Sequence, residues 1–589
     1  MSRSIPTLQG VGCFYLALLG CVPIVASAQT RDDVLTAHGS RERTGWFPDQ
    51  KRLSPAVLSQ GKFGKLWESA ALDSYENYPA RLYASPLYVD GLKLADTIHG
   101  GGTFRVVIAA SSTGFVYAIN TEAANGVKAG EILWKTHFDS PCVLNWDASA
   151  MGVISTPVID KARKVLYVAS CSVKAGWQVY GLDLASGAVL DGWPVSIHED
   201  VLSEPSLNRN PFYGTPKAVE PRWGRFYIQR GALNLDASDR YLFVTLSQAR
   251  GWLVSIDTTR KAVASSFSAT PLPQDSVGGI WGSTGPAIDA SGNVFVVTGA
   301  SPQTGAPALR NWSQSVLMFS AMSGDLSLRG IYTPFNYCRA VEADIDLGGS
   351  GVTLIPSKSR AEPIGQLLAL GGKQGNAYLL ATSRLAVPGL ERRVCSEDSA
   401  SDLSLLAPQA QAQFGRRGPI NIFGPYSDDD GMLDRAKNRA APAYFRDAAG
   451  REYLFYTGNT KDPNDTRISI APSVVRMRLQ RPAVGDPYLR TDGAAGSFVL
   501  KNPGPPVVSS NGGKGAIVWI LDENAQRSAT LVGPNSPQPV LLAVDPYSLK
   551  VLWRTKVGEL NTSGKYNSPT VARNTVFIGT DRIVAFGIK

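Results

Sequence analysis

The chain has 589 residues, 44% hydrophobic and 18% charged, enough for a large core and too long for one ordinary domain unless it repeats. The net charge of +9 is mild over this length, and no Lys/Arg run gathers it into a stripe, which argues against nucleic-acid binding. With 58 glycines and 38 prolines, the chain must turn often.

Residues 1–28 read as a signal peptide. Arg3 supplies the positive end, residues 11–25 an apolar run too short to span a bilayer comfortably, and Ala26-Ser27-Ala28 a small-residue cleavage site. Leu18-Leu19-Gly20-Cys21 offers a competing reading, a lipoprotein box with a lipid anchor at Cys21. Either route exports the protein, to the periplasm or beyond. No later stretch is long and apolar enough for a transmembrane helix. Four cysteines remain after cleavage, and an oxidising compartment allows three pairings. Cys142 with Cys171 and Cys338 with Cys395 close the shortest loops and are the expected structural pairs. The four histidines, at 38, 99, 137 and 198, are not spaced as metal ligands.

Residues 29–60 form a polar lead-in, and 61–589 the folded body. Phe63-Gly64-Lys65-Leu66-Trp67 looks like an outer strand without inner strands of its own. A repeat then begins: Ser85-Pro86-Leu87-Tyr88-Val89, Arg105-Val106-Val107-Ile108-Ala109, Val116-Tyr117-Ala118-Ile119-Asn120 and Glu131-Ile132-Leu133-Trp134. Residues 155–193 are the clearest copy, with Thr156-Pro157-Val158-Ile159-Asp160, Val165-Leu166-Tyr167-Val168-Ala169 and Val179-Tyr180-Gly181-Leu182-Asp183 before the turn Ala185-Ser186-Gly187. Altered copies follow near 240–267, 285–319, 367–380, 442–456 and 516–553, and the last ends on Ile583-Val584-Ala585-Phe586. Long insertions are expected at 194–235, 385–440 and 457–510. The second holds Asp428-Asp429-Asp430, which lacks the alternating oxygen donors of a calcium loop.

Short β-branched and aromatic runs between turn residues are strands, and their recurrence is a repeat architecture. A four-stranded sheet leaves faces that only neighbouring sheets can cover, so the copies must close into a ring. The expectation is an all-β, eight-bladed β-propeller of four-stranded antiparallel blades. The last copy lacks an outer strand, and the Leu66-Trp67 strand is expected to supply it.

The segments VYAINTEAANGVKAGEILW, VYGLDLASGAVLDGW and LLAVDPYSLKVLW resemble the tryptophan-docking repeat of quinoprotein alcohol dehydrogenase-like propellers. Arg43-Thr44-Gly45, GVISTPVID, GGIWGSTGPAIDASGNVFVVTG, DIDLGGSG and GGKQGNAYLL look like a group of exported bacterial pyrrolo-quinoline quinone (PQQ) repeat proteins. The resemblance implies a PQQ seat in the central funnel, with a tryptophan stacked on the quinone, calcium or a lanthanide polarising it, and an aspartate as base. By position, Trp281 would be the stacker, Asp344 or Asp346 the base, and Lys373 the contact to the quinone oxygens. Each has a plain alternative: a blade-packing tryptophan, a turn-capping carboxylate, a hairpin lysine.

The chain also departs from that pattern. It has no adjacent cysteines, Ala300-Ser301 follow Thr298-Gly299 where the family carries a metal-binding asparagine, and Ser172-Val173-Lys174 falls near the family's metal-binding glutamate. A hard cation needs several oxygen donors, so no metal ligands are expected here. The leading expectation is a non-catalytic ligand- or protein-binding module of the cell envelope with a degenerate quinone and metal site, partnered by a small molecule or an envelope protein. The alternative is a PQQ-dependent alcohol or sugar dehydrogenase. A polysaccharide hydrolase or lyase finds no paired carboxylates to serve it.

Overall fold

Strands such as Thr103–Ala110 and Tyr241–Gln248 are buried almost end to end. That pattern fits sheets covered on both faces. The computed structural model describes residues 32–144, 149–213, 227–248, 250–270, 278–301, 309–334, 337–338, 346–357, 364–373, 375–389, 391–395, 420–423, 438–458, 473–495, 497–525, 537–562 and 564–589. The expected leader, Cys21, the acidic triplet at 428–430 and Asp344 lie outside these residues.

Eight small antiparallel sheets follow one another along the chain and form a propeller ring. Blade 1 runs Leu87–Lys93, Thr103–Ala110, Phe115–Asn120, Ile132–His137 from inner to outer strand, and blade 2 runs Val158–Asp160, Val165–Ser172, Gly176–Asp183, Val195–Ser196. In blade 3, both Tyr227–Ile228 and Asn234–Leu235 pair with Tyr241–Gln248, followed by Trp252–Asp257 and Ala262–Ser268. Blades 4 to 7 begin at Ala287–Ile288, Thr353–Ile355, Ala443–Arg446 and Val507–Asn511. Blade 8 takes Thr570–Ala572, Thr575–Gly579 and Ile583–Ile588 from the C-terminal end of the chain, and Phe63–Glu68 pairs antiparallel with Ile583–Ile588 as its outer strand. This closure joins the two ends of the chain and covers an open sheet edge.

Every blade-to-blade interface is filled by apolar side chains. Val106, Ile108, Leu166 and Val168 fill the space between blades 1 and 2, and Leu368, Leu370, Phe295 and Val316 that between blades 4 and 5. Trp519, Phe577, Tyr117 and Leu541 belong to the cluster that unites blades 7, 8 and 1. The docking tryptophans add a second layer. Trp134 donates its indole N–H to the Leu184 carbonyl of blade 2 at 3.2 Å and lies over Gly187, whose φ is +76°. A Cβ at Gly187 would stand 2.5 Å from the Trp134 ring. Gly187→Ala is therefore expected to destabilise the protein by about 1–3 kcal/mol, through left-handed strain and displacement of the ring, read as a lower midpoint in thermal unfolding.

All three expected insertions prove partly regular. Residues 457–510 contain Val474–Gln480 and Tyr488–Ala494, the third and outer strands of blade 6. Val475-Arg476-Met477-Arg478-Leu479-Gln480 alternates apolar and polar residues, with Met477 and Leu479 buried, and Arg476 is held by Asp492 at 3.0 Å across the pair. Residues 194–235 contribute the outer strand of blade 2 and the inner edge of blade 3. The outer strand of blade 5, Ile420–Asn421, arrives only at the far end of the 385–440 insertion. The disulfides are Cys142–Cys171 and Cys338–Cys395. The first ties the approach to blade 2 to that blade's second strand, and the second ties the approach to blade 5 to the insertion that leaves its third strand.

The polar lead-in does more than its composition suggests. The innermost strand of each blade turns a free edge toward the central channel, and its N–H groups need acceptors. Residues 33–50 supply them in ring order. Val34 and Tyr88 of blade 1 exchange two main-chain bonds of 2.8 and 2.9 Å. Ile159 of blade 2 donates to Leu35, Ile288 of blade 4 to Arg41, Leu354 of blade 5 to Glu42, Tyr444 of blade 6 to Thr44 and Val508 of blade 7 to Gly45, all between 2.7 and 2.9 Å. The Asn234 amide of blade 3 donates to the Arg41 carbonyl at 3.0 Å, and the N–H of Asn574 in blade 8 to Gln50 at 2.6 Å. The segment is a plug that touches all eight blades. Arg43, fully buried at its centre, donates to Thr36 Oγ1 and to the carbonyls of Ala37, Leu233 and Pro286 at 2.6–3.1 Å.

Candidate functional site

Blades 3, 4, 6 and 8 are each approached by a short run that crosses the hub before the inner strand begins. Within these runs, three to five residues ahead of Pro286, Pro442 and Pro569, stand Trp281, Arg439, and Lys565-Tyr566; Arg230 stands likewise four residues ahead of Asn234. Asp346 lies seven residues ahead of Thr353 of blade 5, and Lys373 sits in the hairpin between that blade's second and third strands. Closing the ring brings these positions together, although they are far apart in sequence.

Of the residues expected at the funnel, Trp281, Asp346 and Lys373 converge. The Lys373 ammonium is 2.6 Å from Asp346 Oδ2 and 5.3 Å from the centre of the Trp281 ring. Asp346 Oδ1 accepts the Ala300 N–H at 2.7 Å, and the Asp346 carbonyl accepts the Lys373 N–H at 2.9 Å. Small residues make this possible: a Cβ on Gly299 would meet Asp346 Oδ1 at 3.0 Å and the Trp281 indole nitrogen at 3.2 Å, and one on Gly349 would meet the Trp281 ring at 2.9 Å. Trp281 is half-buried, and its ring centre lies 6.1 Å from that of Tyr566.

Residues beyond the expected set complete the hub. The Arg230 guanidinium lies 5.3 Å, and the Lys565 ammonium 5.7 Å, from the centre of the Tyr566 ring. Arg439, which is buried, reaches Asn502 Oδ1 at 3.5 Å. Burial acts to push the Tyr566 phenol up, yet Arg439, Lys565, Arg230 and Lys373 together bring it below the ordinary tyrosine range. The signal for these residues was their shared place ahead of the inner strands; it gains meaning only once the ring is closed.

The donor set around Asp346 is poorly suited to a divalent or trivalent cation. Both Asp346 oxygens already face donors, one of them an ammonium. Ala300, where the resemblance would put a metal-binding asparagine, contributes an N–H rather than an oxygen. Among the described residues, no three His, Cys, Asp or Glu side chains are grouped to hold a metal ion. A cation at Asp346 would confront the Lys373 charge, so the described residues do not fit a metal.

The fold is that of the PQQ-dependent quinoprotein alcohol dehydrogenases, an eight-bladed ring of four-stranded sheets. The quinohaemoprotein alcohol dehydrogenase from Comamonas testosteroni superposes with a TM-score of 0.56 at 12% identity, covering 96% of this chain and 81% of that one. A europium-containing methanol dehydrogenase gives 0.54 at 13% identity, covering 93% and 90%. The quinohaemoprotein alcohol dehydrogenase ADHIIG from Pseudomonas putida HK5 gives 0.52 at 13% identity, covering 95% and 80%. No protein-family model and no curated protein sequence matches the chain. At these identities the likeness carries the fold and leaves the chemistry to the site itself.

Proposed function

We infer that this chain is an exported PQQ-like propeller of the cell envelope that binds a ligand in its hub without turning it over. The observation that carries the reading is the Asp346–Lys373 pair: an ammonium stands 2.6 Å from the carboxylate that a metal-assisted dehydrogenase would need for its cation or its base. A proton or a cation arriving at Asp346 meets oxygens that already accept from Lys373 and from the Ala300 N–H. Export agrees with the leader-like residues 1–28 and with two disulfides, which persist in oxidising compartments. No described helix is long and apolar enough to cross a membrane. An envelope protein docking on the loops around the funnel is the other partner class this reading admits.

A second reading, a PQQ-dependent alcohol or sugar dehydrogenase, draws support from the meeting of Trp281, Lys373 and Asp346 in one hub. There Trp281 would stack on the quinone and Lys373 would touch its oxygens. Adding PQQ with calcium or a lanthanide, then alcohols or sugars and a redox dye, separates the two. The first reading expects no dye reduction above the rate without protein. Turnover that requires both quinone and cation would establish the second.

A further inference from the structure

The apolar packing between blades 3 and 4 reaches the surface on the rim of the ring. Phe267, Trp312 and Leu326 are buried in it, and Phe212 and Leu328, packed against it, are only partly covered. Together with Pro388 they line a cleft of about 280 Å³ that shares no residue with the hub. Phe267 comes from the outer strand of blade 3, Leu328 from the outer strand of blade 4, and Phe212 from the 194–235 insertion. Pro388 belongs to a strap, residues 386–389 and 391–395, that is fixed at both ends. Ala386 and Ile331 exchange two main-chain bonds of 2.9 Å. Arg392 donates through its main chain to the Leu309 carbonyl and through Nη1 to the Ser313 carbonyl, both at 2.7 Å, and Cys395 is bonded to Cys338. Between these ties Val387 keeps 83% of its surface exposed, and Gly389 brings no side chain to fill the space. The wall is thus held off the aromatic side chains, and the cleft is preformed.

Trp312 sets the chemistry. It is 2% exposed, and its indole N–H has no acceptor among the described residues. A buried donor left without an acceptor is costly. A water needs about two to four polar partners, and the side chains of Phe212, Phe267 and Leu326 offer none. An oxygen carried on an apolar body satisfies the donor and covers the aromatic walls at once. The charged groups beside the cleft are already paired, Arg209 with Asp325 and Arg310 with Glu391, so a charged ligand gains little there. Drug-sized ligands take about 300–1,000 Å³, so this cleft suits a smaller body, of about two fused rings.

We propose that the rim cleft between blades 3 and 4 binds a small neutral aromatic molecule, of about two fused rings, whose carbonyl or ether oxygen accepts from Trp312 Nε1. The seat is separate from the hub, so the proposal goes beyond the hub reading and its failure leaves that reading untouched. Equilibrium dialysis of the full chain tests it, with acetonaphthone, a fused-ring ketone, and ethylnaphthalene, its hydrocarbon counterpart, beside Phe212→Ala and Trp312→Phe. Saturable binding of the ketone is expected, about tenfold tighter than the hydrocarbon. Phe212→Ala should weaken both probes by about fivefold, and Trp312→Phe should remove the preference for the ketone. No saturable ketone binding, equal affinity for the two probes in wild type, or a ketone preference that survives Trp312→Phe overturns the proposal. So does binding that neither substitution alters, which would place the probes elsewhere. Where a variant does not fold, the wild-type ratio of the two affinities decides by the same criterion.

Discussion

Arg43→Met is expected to cost about 3 kcal/mol or more, the largest loss of any single substitution in the plug. Buried acceptors deprived of their donor forfeit about 1–3 kcal/mol each, and Arg43 serves three carbonyls and the Thr36 hydroxyl at once. The carbonyls belong to the plug and to blades 3 and 4, so the side chain fastens the plug to the ring from within. Burial draws the guanidinium down to about 9, still charged at neutral pH. Arg43→Lys should not rescue, because one ammonium cannot reach what a planar fork reaches. The measurement is the thermal midpoint and the unfolding rate of the two variants against wild type. A loss confined to a few tenths of a kcal/mol would mean that the plug is not fastened through this residue.

The same segment sets an acid limit. His38 is buried with its ring nitrogens 2.8 Å from the Arg43 carbonyl and 2.9 Å from the Pro506 carbonyl, and burial lowers its pKa to about 4, despite those two carbonyls and with Arg43 adding to the decrease. A Cβ on Gly45 would strike this ring at 2.6 Å, so the loop closes tightly around it. The folded-state value lies below the unfolded one, so the stability this neutral ring contributes is fully present above pH 6.5. It is lost as pH falls from about 6.5 to about 4, amounting to about 3 kcal/mol. His38→Gln should flatten the pH dependence of the thermal midpoint across that window.

The second large effect concerns the hub. Asp346→Asn is expected to cost about 3 kcal/mol, because it removes the carboxylate 2.6 Å from the mostly buried Lys373 ammonium. Adding Lys373→Gln to Asp346→Asn should recover part of that loss, since the stranded charge is then gone as well. Thermal midpoints of the single and double variants read both effects. A double variant no more stable than Asp346→Asn alone would mean that the two residues act by shaping the site rather than by charge. If instead Asp346→Asn abolished a quinone-dependent turnover, Asp346 would be acting as a base.

Much of the ring was legible because its units repeat. Gly187 and Trp134 carry the blade-to-blade dock in letters that recur, and the cysteine spacing pointed to the two observed pairs. Strands such as Ser327–Tyr332 and Thr353–Ile355 were hidden because polar residues or short length broke their apolar alternation, and Val474–Gln480, whose alternation is intact, was hidden by a surrounding stretch rich in Pro, Asn and Arg. The plug was hidden for a different reason. A segment that bonds through its backbone to the inner strands of seven blades needs no pattern of its own, and only Arg43-Thr44-Gly45 hinted at it. In the hub, Trp281, Asp346 and Lys373 were found by resemblance. Arg230, Arg439, Lys565 and Tyr566 were not, since their nearness arises from ring closure and not from sequence spacing.

In the non-catalytic reading the Lys373 ammonium, 2.6 Å from Asp346, stands where a catalytic cation would sit. Terbium titration tests this most directly, since a terbium ion beside Trp281 would emit on indole excitation. The expectation is that wild type and Asp346→Asn give the same unsaturable emission, with or without PQQ. Saturable emission in wild type that disappears in Asp346→Asn would place a metal ion at the hub and contradict the account.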